Sequence, residues 1–263
     1  MQIQGSTVLL TGATGGIGHA IARALGARGA SLILTGRRTE LLEPLAQELG
    51  ARSIAVDLSR AEEVDRLAAE AGRVDILVAN AALPGSGMLG ELSAQEIDRA
   101  LDVNLRAPIL LTHALSPAMV DARKGHLVFI SSLAGKVATP GSSLYNATKF
   151  GLRGFASAMR AELRSSGVGV SSIFPGFIRD AGMFADTGVQ LPPGVGTRTP
   201  EEVAGAVVSA IERNRGEIDV APLPLRAGAA FAGFAPELSH AVARRLGGAE
   251  ISRKMAAAQQ GKS

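Results

Sequence analysis

The sequence predicts an α/β fold, a doubly wound parallel sheet of about seven strands with helices on both faces. Its 263 residues alternate short apolar runs with longer amphipathic stretches. Most of the short runs are continuously apolar, which is typical of strands buried on both faces of a parallel sheet. The predicted strands are Thr7–Thr11, Ser31–Thr35, Ser53–Asp57, Asp75–Ala79, His126–Ile130 and Val170–Phe174, with Glu217–Ala221 as a candidate seventh.

Stretches with helical periodicity occupy the intervals between these strands. They are Gly18–Arg28, Glu40–Leu49, Ala61–Ala71, Ala94–Ala118, Tyr145–Ser165 and Pro200–Arg213. Such an alternating order implies right-handed crossovers that place helices on both faces of the sheet. No repeat, block of like charge or long Gly/Ser/Pro tract divides the chain, so we expect residues 1–263 to form a single domain.

Two stretches do not follow this alternation of predicted strands and helices. Phe177–Thr199 contains glycines, prolines and apolar residues without a helical period, and we expect residues 177–199 to form a lid over a substrate site. Val220–Phe234 is rich in Pro, Ala and Leu and leads into an expected terminal helix through Arg245. It is apolar enough to wall a pocket or to meet a second subunit or a membrane surface, and these alternatives stay open.

Composition excludes several classes of protein. With 46% hydrophobic residues and a net charge of +3, the chain is neither disordered nor a typical nucleic-acid binder. The absence of cysteine excludes disulfides and thiolate metal sites, and the four histidines show no ligand spacing, so we expect no metal. Met1–Ala22 lacks a basic start and holds five glycines, which fits neither a secretion signal nor a membrane span. We therefore expect a cytoplasmic protein with no transmembrane segment.

The segment Thr11–Gly18 is rich in glycine and joins the first strand to the first helix. Glycines at such a junction let the backbone turn tightly and approach a pyrophosphate at the positive end of the helix. A tight turn alone also needs glycines, but the position between strand and helix favours dinucleotide binding on a Rossmann fold.

The end of the second strand indicates which dinucleotide is preferred. A carboxylate at this place would bind the ribose 2′-hydroxyl and repel a 2′-phosphate. Here Gly36 is followed by Arg37 and Arg38, whose guanidinium groups suit a phosphate. We therefore predict NADP(H) as the preferred cofactor, with NAD(H) also possible.

A candidate catalytic group follows the fifth strand. Tyr145, the only tyrosine in the chain, lies four residues before Lys149, so both share one face of a predicted helix. Ser132 lies just beyond the fifth strand, at the carboxyl edge where doubly wound sheets build their sites.

These features together resemble the short-chain dehydrogenase/reductase family, in its branch of about 250 residues. The matching residues are Thr11–Gly18, Asn80-Ala81-Ala82, Asn104, Ser132, Tyr145, Lys149 and Pro175-Gly176. The resemblance implies that Tyr145 exchanges a proton with the substrate oxygen while Lys149 lowers the pKa of Tyr145 and binds the nicotinamide ribose. It also implies that Ser132 orients the substrate oxygen and that Asn104 supports a proton relay.

The resemblance further implies a set of cofactor contacts. They are Gly12, Thr14, Gly15, Gly16, Ile17, Gly18, Arg37, Arg38, Asp57, Leu58, Asn80, Ala81, Tyr145, Lys149, Pro175, Gly176 and Ile178. Two residues depart from the family pattern: Leu83 stands where glycine is usual, and Asp180 stands where threonine is common.

The substrate is expected to be a fairly apolar small carbonyl compound or secondary alcohol. The implied substrate contacts are Ser132, Leu133, Tyr145, Phe177, Met183 and Phe184. The alternative function is a non-catalytic dinucleotide-binding redox sensor or scaffold. Epimerisation or dehydration by the Tyr145–Lys149 pair ranks lower. Family members usually pair their long helices, so we expect a homodimer or homotetramer, with residues such as Phe155, Ala158 and Met159 in the contact.

Overall fold

The computed structural model describes residues 1–189, 191 and 195–239. In this part the strands are β1 (Thr7–Leu10), β2 (Ser31–Gly36), β3 (Arg52–Ala55), β4 (Ile76–Ala79), β5 (Gly125–Ile130), β6 (Val168–Pro175) and β7 (Glu217–Val220). They form one parallel sheet in the order β3-β2-β1-β4-β5-β6-β7. The order reverses between β1 and β4, where a doubly wound sheet opens a crevice at the carboxyl ends of its strands. The predicted fold class is confirmed.

Helices cover both faces of this sheet. They are α1 (Gly16–Gly26), α2 (Thr39–Leu49), α3 (Ala61–Ala71), α4 (Ala94–Leu101), α5 (Ala107–Asp121), α6 (Ser143–Glu162), α7 (Pro200–Arg213) and α8 (Leu223–Phe234). One core cluster packs Ile21 and Val207 against the sheet, and the other packs Leu111 and Leu152 against the opposite face. Burial on both faces explains why the strands are continuously apolar.

The single helix predicted over Ala94–Ala118 is wrong in one respect. A π-helical turn, Asp102–Arg106, separates α4 from α5 and contains the fully buried Asn104. The side-chain amide of Asn104 binds the backbone of Leu83, in the loop after β4. Helical periodicity cannot reveal this break, because the partner that accompanies it lies on another segment of the chain.

The stretch after β7 also differs from expectation. Leu223–Phe234 is a helix, and Pro222 and Pro224 stand at its cap and in its first turn, where proline is tolerated. Residues 236–239 are helical as well, and the rest of the helix expected through Arg245 lies outside the described residues. No helix in the described part is both long and apolar enough to cross a membrane.

Candidate active site

The glycine-rich loop is tied to the neighbouring strand end by side-chain hydrogen bonds. Thr11 Oγ1 accepts from the backbone nitrogens of Asn80 (3.0 Å) and Ala81 (3.1 Å). Asn80 Nδ2 in turn donates to the carbonyl oxygens of Thr11 (3.1 Å) and Gly12 (3.0 Å). Gly12 has a φ of +66°, and a Cβ there would stand 2.7 Å from Ala81 Cα. The loop therefore needs glycine for both its conformation and its close approach to β4.

A cleft of about 410 Å³ opens at this switch point. Twelve of the predicted cofactor residues line it: Gly12, Thr14, Gly15, Gly16, Ile17, Gly18, Arg37, Arg38, Asp57, Leu58, Asn80 and Ala81. The sequence interpretation missed other lining residues, among them Thr35, Val56, Pro84 and Val103. The signal that could have found them was their position beside residues already predicted, at the strand ends and in the π turn.

The end of β2 lies close to the glycine loop. A Cβ on Gly36 would stand 2.8 Å from Thr14 Cγ2, so a side chain there would require the Thr14 side chain to move. Arg38 Nη2 donates to the carbonyl oxygen of Thr14 at 2.9 Å, while Arg37 is exposed at the rim of the same cleft. The cleft thus presents positive charge where a ribose 2′-phosphate would lie.

Asp57 lies just beyond β3, because that strand ends two residues earlier than predicted. Burial opposes ionisation of the Asp57 carboxyl. The hydrogen bonds from Ser59, together with the charges of Arg37 and Arg99, outweigh burial and lower the pKa of this carboxyl. The bonds reach Asp57 Oδ1 from Ser59 N (3.1 Å) and Ser59 Oγ (2.8 Å). Asp57 is therefore a carboxylate acceptor in the wall of the cleft.

The catalytic candidates gather at the carboxyl end of β5. Lys149 is buried, and its Nζ donates to Ile130 O at 3.0 Å and lies 5.5 Å from the centroid of the Tyr145 ring. Ser132 is hydrogen-bonded to Tyr145. The structure therefore brings together Ser132, Tyr145 and Lys149, which the chain spaces over 18 residues.

Desolvation changes the pKa values of Tyr145 and Lys149 in opposite directions. It raises the pKa of Tyr145 to about 12, against the smaller opposite effect of its hydrogen bond with Ser132. It lowers the pKa of Lys149 to about 8. The expectation that Lys149 lowers the pKa of Tyr145 concerns the complex with cofactor and stays a prediction.

Asn104 reaches the group indirectly. Its Nδ2 donates to Leu83 O at 2.8 Å, and its Oδ1 accepts from Leu83 N at 2.6 Å. Nδ2 also lies 3.4 Å from Thr148 Oγ1, on the helix that carries Tyr145 and Lys149. Asn104 thus links the loop after β4 to α6. Leu83 meets it through backbone atoms alone, so the departure from glycine at this position leaves these bonds intact.

The predicted substrate contacts lie in two places. Phe177 and Phe184 pack together, with ring centroids 5.0 Å apart, and a Cβ on Gly176 would stand 3.4 Å from Leu133 Cδ1. Met183 lines the cofactor cleft, and its predicted substrate contact stays a prediction. The lining of this cleft does not include five of the predicted cofactor residues, namely Tyr145, Lys149, Pro175, Gly176 and Ile178. In the segment after β6, Ala181 lies beside Gly16 of the glycine loop.

The expected lid is fastened at its base. Arg179 N donates to Arg198 O and Arg198 N donates to Phe177 O, both at 2.9 Å, so the two ends of the segment form a short parallel bridge. Asp180, which replaces the threonine of the family pattern, has a φ of +68° immediately after this bridge. Gln190 and residues 192–194 of the predicted lid lie outside the described residues.

A second hollow, of about 580 Å³, lies between α1 and α7 and is lined in part by Gly16 of the glycine loop and by Asp180 and Ala181. Within residues 1–189, 191 and 195–239, no group of three or more His, Cys, Asp or Glu residues is arranged to hold a metal ion.

Comparison with known proteins places the chain in a family. Residues 6–190 match the family model for short chain dehydrogenases. The chain is 34% identical over 232 residues to the ketoacyl reductase HetN of Nostoc sp. (strain PCC 7120 / SAG 25.82 / UTEX 2576), which covers 85% of this chain and 81% of that protein.

Solved structures agree with the sequence comparison. A metagenomic short-chain oxidoreductase in complex with NADP is 35% identical, with a TM-score of 0.71 over 84% of this chain and 99% of the other. A 3-ketoacyl-(acyl-carrier-protein) reductase from Brucella melitensis, complexed with NADH, is 25% identical, with a TM-score of 0.75 over 83% of this chain and 97% of the other. With the sheet order, the glycine loop and the Ser-Tyr-Lys group already in place, these matches show that the chain belongs to the short-chain dehydrogenase/reductase family of NAD(P)-dependent oxidoreductases.

Proposed function

We propose that the protein uses NADPH to reduce the carbonyl group of a fairly apolar small molecule to a secondary alcohol. The observation that carries this proposal is the grouping of Ser132, Tyr145 and Lys149 at one sheet edge, with a phenol that is protonated at neutral pH. A protonated phenol suits the reductive direction, because the substrate oxygen must gain a proton as it becomes a hydroxyl.

Each residue of the candidate catalytic group has a separate role in this reaction. Bound NADPH supplies a hydride to the carbonyl carbon. Tyr145 donates its phenolic proton to the carbonyl oxygen, and Ser132 donates a hydrogen bond that orients this oxygen. Lys149 stabilises the tyrosinate that remains and binds the nicotinamide ribose. Asn104 supports the return of a proton from solvent, through its place between the Leu83 loop and α6.

The cleft fits NADP(H) better than NAD(H). It offers the glycine loop to a pyrophosphate, Asp57 to the adenine amino group and Arg37 to a 2′-phosphate. Gly36 also supplies no carboxylate of the kind that would favour NAD(H). NAD(H) remains the weaker alternative, since one relative was solved with NADP and another with NADH.

For the substrate we propose a 3-oxoacyl compound, either a thioester or an ester. Support comes from two relatives named as ketoacyl reductases and from the apolar side chains around the site. The Phe177–Phe184 pair and Leu133 offer hydrocarbon surface to an acyl chain, while Ser132 and Tyr145 face the reacting oxygen.

We also propose that the protein forms a homodimer or homotetramer through α5 and α6. Phe150 is 42% exposed on α6, in line with the exposed small residues Ala147, Gly154 and Ala158. Phe155 and Met159 are partly buried against the core, and their predicted place in the contact stays a prediction. A stripe of small residues allows two helices to approach closely.

A screen of 3-oxoacyl esters of increasing chain length, with NADPH and with NADH, tests the activity. We expect loss of the reduced-nicotinamide absorbance with NADPH, and a fall of roughly 10²- to 10⁴-fold in kcat for Tyr145→Phe without weaker NADPH binding. If Tyr145→Phe matched the unaltered protein, or if no carbonyl compound oxidised NADPH, the alternative of a dinucleotide-binding sensor or scaffold would replace this proposal.

A further inference from the structure

The turn that carries Ser132 is bound to α6, where Asn146 Nδ2 donates to Ala134 O at 2.7 Å and to Val137 O at 2.9 Å. Ser132 caps the short 3₁₀ turn Leu133–Gly135, where its Oγ accepts from Ala134 N at 3.1 Å. The bond from Ser132 Oγ to Pro175 O, on β6, is long at 3.4 Å. The orientation of Ser132 therefore depends on how the turn as a whole is held against the sheet.

Lys136, which ends this turn, is held by two carboxylates of β7. Its Nζ lies 2.6 Å from Asp219 Oδ1 and 3.0 Å from Glu217 Oε2, and its side chain is only 12% exposed. Glu217 and Asp219 are two residues apart on the strand and so point to the same face. The same ammonium lies 3.9 Å from the ring centroid of the fully buried Phe174, which precedes the Pro175-Gly176 turn.

One of these carboxylates, Glu217, also holds the helix that bears Tyr145 and Lys149. Arg153, one turn after Lys149 on α6, binds both oxygens of Glu217, at 2.8 and 3.2 Å. Burial opposes ionisation of Glu217, but its bonds with Arg153 and Lys136 outweigh burial and lower the pKa of the carboxyl. Strand β7 thus fastens the Ser132 turn through Lys136 and the Tyr145 helix through Arg153.

We infer that Lys136 is a positioning residue: its ion pair with Asp219 and Glu217 aligns Ser132 with Tyr145 for proton donation to the substrate oxygen. The inference rests on the proposed carbonyl reduction and adds a residue that touches neither substrate nor cofactor. Exposed ion pairs contribute little to stability, but the Lys136–Asp219 pair is largely shielded from solvent. The second carboxylate, Glu217, is shared with Arg153 on α6. A displacement of the Ser132 hydroxyl by a fraction of an ångström is enough to slow a positioned reaction.

A mutant cycle tests whether Lys136 acts through Ser132. The variants are Lys136→Met, Ser132→Ala and the double variant, compared by single-turnover reduction of a 3-oxoacyl ester with saturating NADPH. We expect Lys136→Met to slow the unaltered enzyme about tenfold but to slow Ser132→Ala less than about twofold, with NADPH binding unchanged. Lys136→Arg, which keeps the charge, should restore the rate to within about threefold of the unaltered enzyme.

Two further variants separate positioning from stability. Asp219→Asn is nearly isosteric and should reproduce the slower reduction even if Lys136→Met folds poorly. Arg23→Met removes an exposed ion pair of similar length, Arg23–Glu48 at 2.9 Å, and should leave the rate unchanged. An equal loss from Lys136→Met with and without Ser132, or no loss at all, would overturn the inference. Failure of the unaltered enzyme to reduce any carbonyl compound would instead overturn the proposed function, and this inference with it.

Discussion

Arg38 donates a hydrogen bond to the carbonyl oxygen of Thr14 at 2.9 Å and thereby joins the end of β2 to the glycine loop. Its neighbour Arg37 stands at the rim of the same cleft. We therefore propose different roles for these two adjacent guanidinium groups. Arg38 would support the loop that any dinucleotide contacts, whereas Arg37 would contact a 2′-phosphate.

This division predicts different effects for the two arginines. Arg37→Ala should weaken NADPH binding by about 1–3 kcal/mol and leave NADH binding nearly unchanged, because only NADPH carries the 2′-phosphate. Arg38→Ala should weaken the binding of both cofactors. Fluorescence titration of each variant with NADPH and NADH measures both affinities. Equal losses for the two cofactors in Arg37→Ala would contradict the 2′-phosphate contact.

The buried ammonium of Lys149 predicts how stability depends on pH. Its pKa is about 8 in the folded protein, below the ordinary value of 10.5. Between pH 8 and 10.5 the unfolded chain therefore binds more protons at this residue than the folded chain, and the free energy of unfolding rises with pH. We expect Lys149 to contribute a rise of roughly 1–3 kcal/mol across this window.

Urea titrations at several pH values test this contribution. Lys149→Met should lack the rise, whereas Lys124→Met, which removes a half-exposed lysine, should keep it. Parallel curves for Lys149→Met and the unaltered protein between pH 8 and 10.5 would show that Lys149 does not titrate in this way.

The clamped base of the lid predicts where ligands change hydrogen exchange. The amides of Arg179 and Arg198 are hydrogen-bonded across the bridge and should be protected in the free protein. Residues 180–189 should gain protection when NADP and a substrate analogue bind together, because closure over the site shields their backbone from water. Hydrogen-exchange mass spectrometry measures this protection in the free protein and in the ternary complex. Unchanged exchange over residues 180–189 would indicate a fixed surface loop.

The exposed aromatic ring on α6 predicts the site of self-association. Light scattering of the unaltered protein should give at least twice the chain mass of 26.9 kDa at micromolar concentration. Phe150→Glu should lower the measured mass towards that of the monomer, because the glutamate charge would be buried in the helix contact. Leu41→Glu is the matched control, since Leu41 is similarly exposed at 40% but lies on α2. A monomeric unaltered protein would exclude the proposed oligomer.

Local sequence was sufficient for the fold class and indicated the residues of the candidate site. Continuous apolar runs predicted six strands and a candidate seventh, because burial on both faces of a parallel sheet requires apolar side chains at every position. The glycines of Thr11–Gly18 and the Tyr145–Lys149 spacing were also visible, since each depends on the geometry of one turn or one helix face.

Contacts between distant segments required the tertiary structure. The π turn at Asn104 accompanies a bond to Leu83, and the anchor of the Ser132 turn is Asp219, 83 residues beyond Lys136. The pKa of Tyr145 depends on desolvation by surrounding segments, which the Tyr145–Lys149 spacing does not report. Periodicity and spacing report what neighbouring residues must do, whereas burial and long-range pairing exist only once the chain has folded.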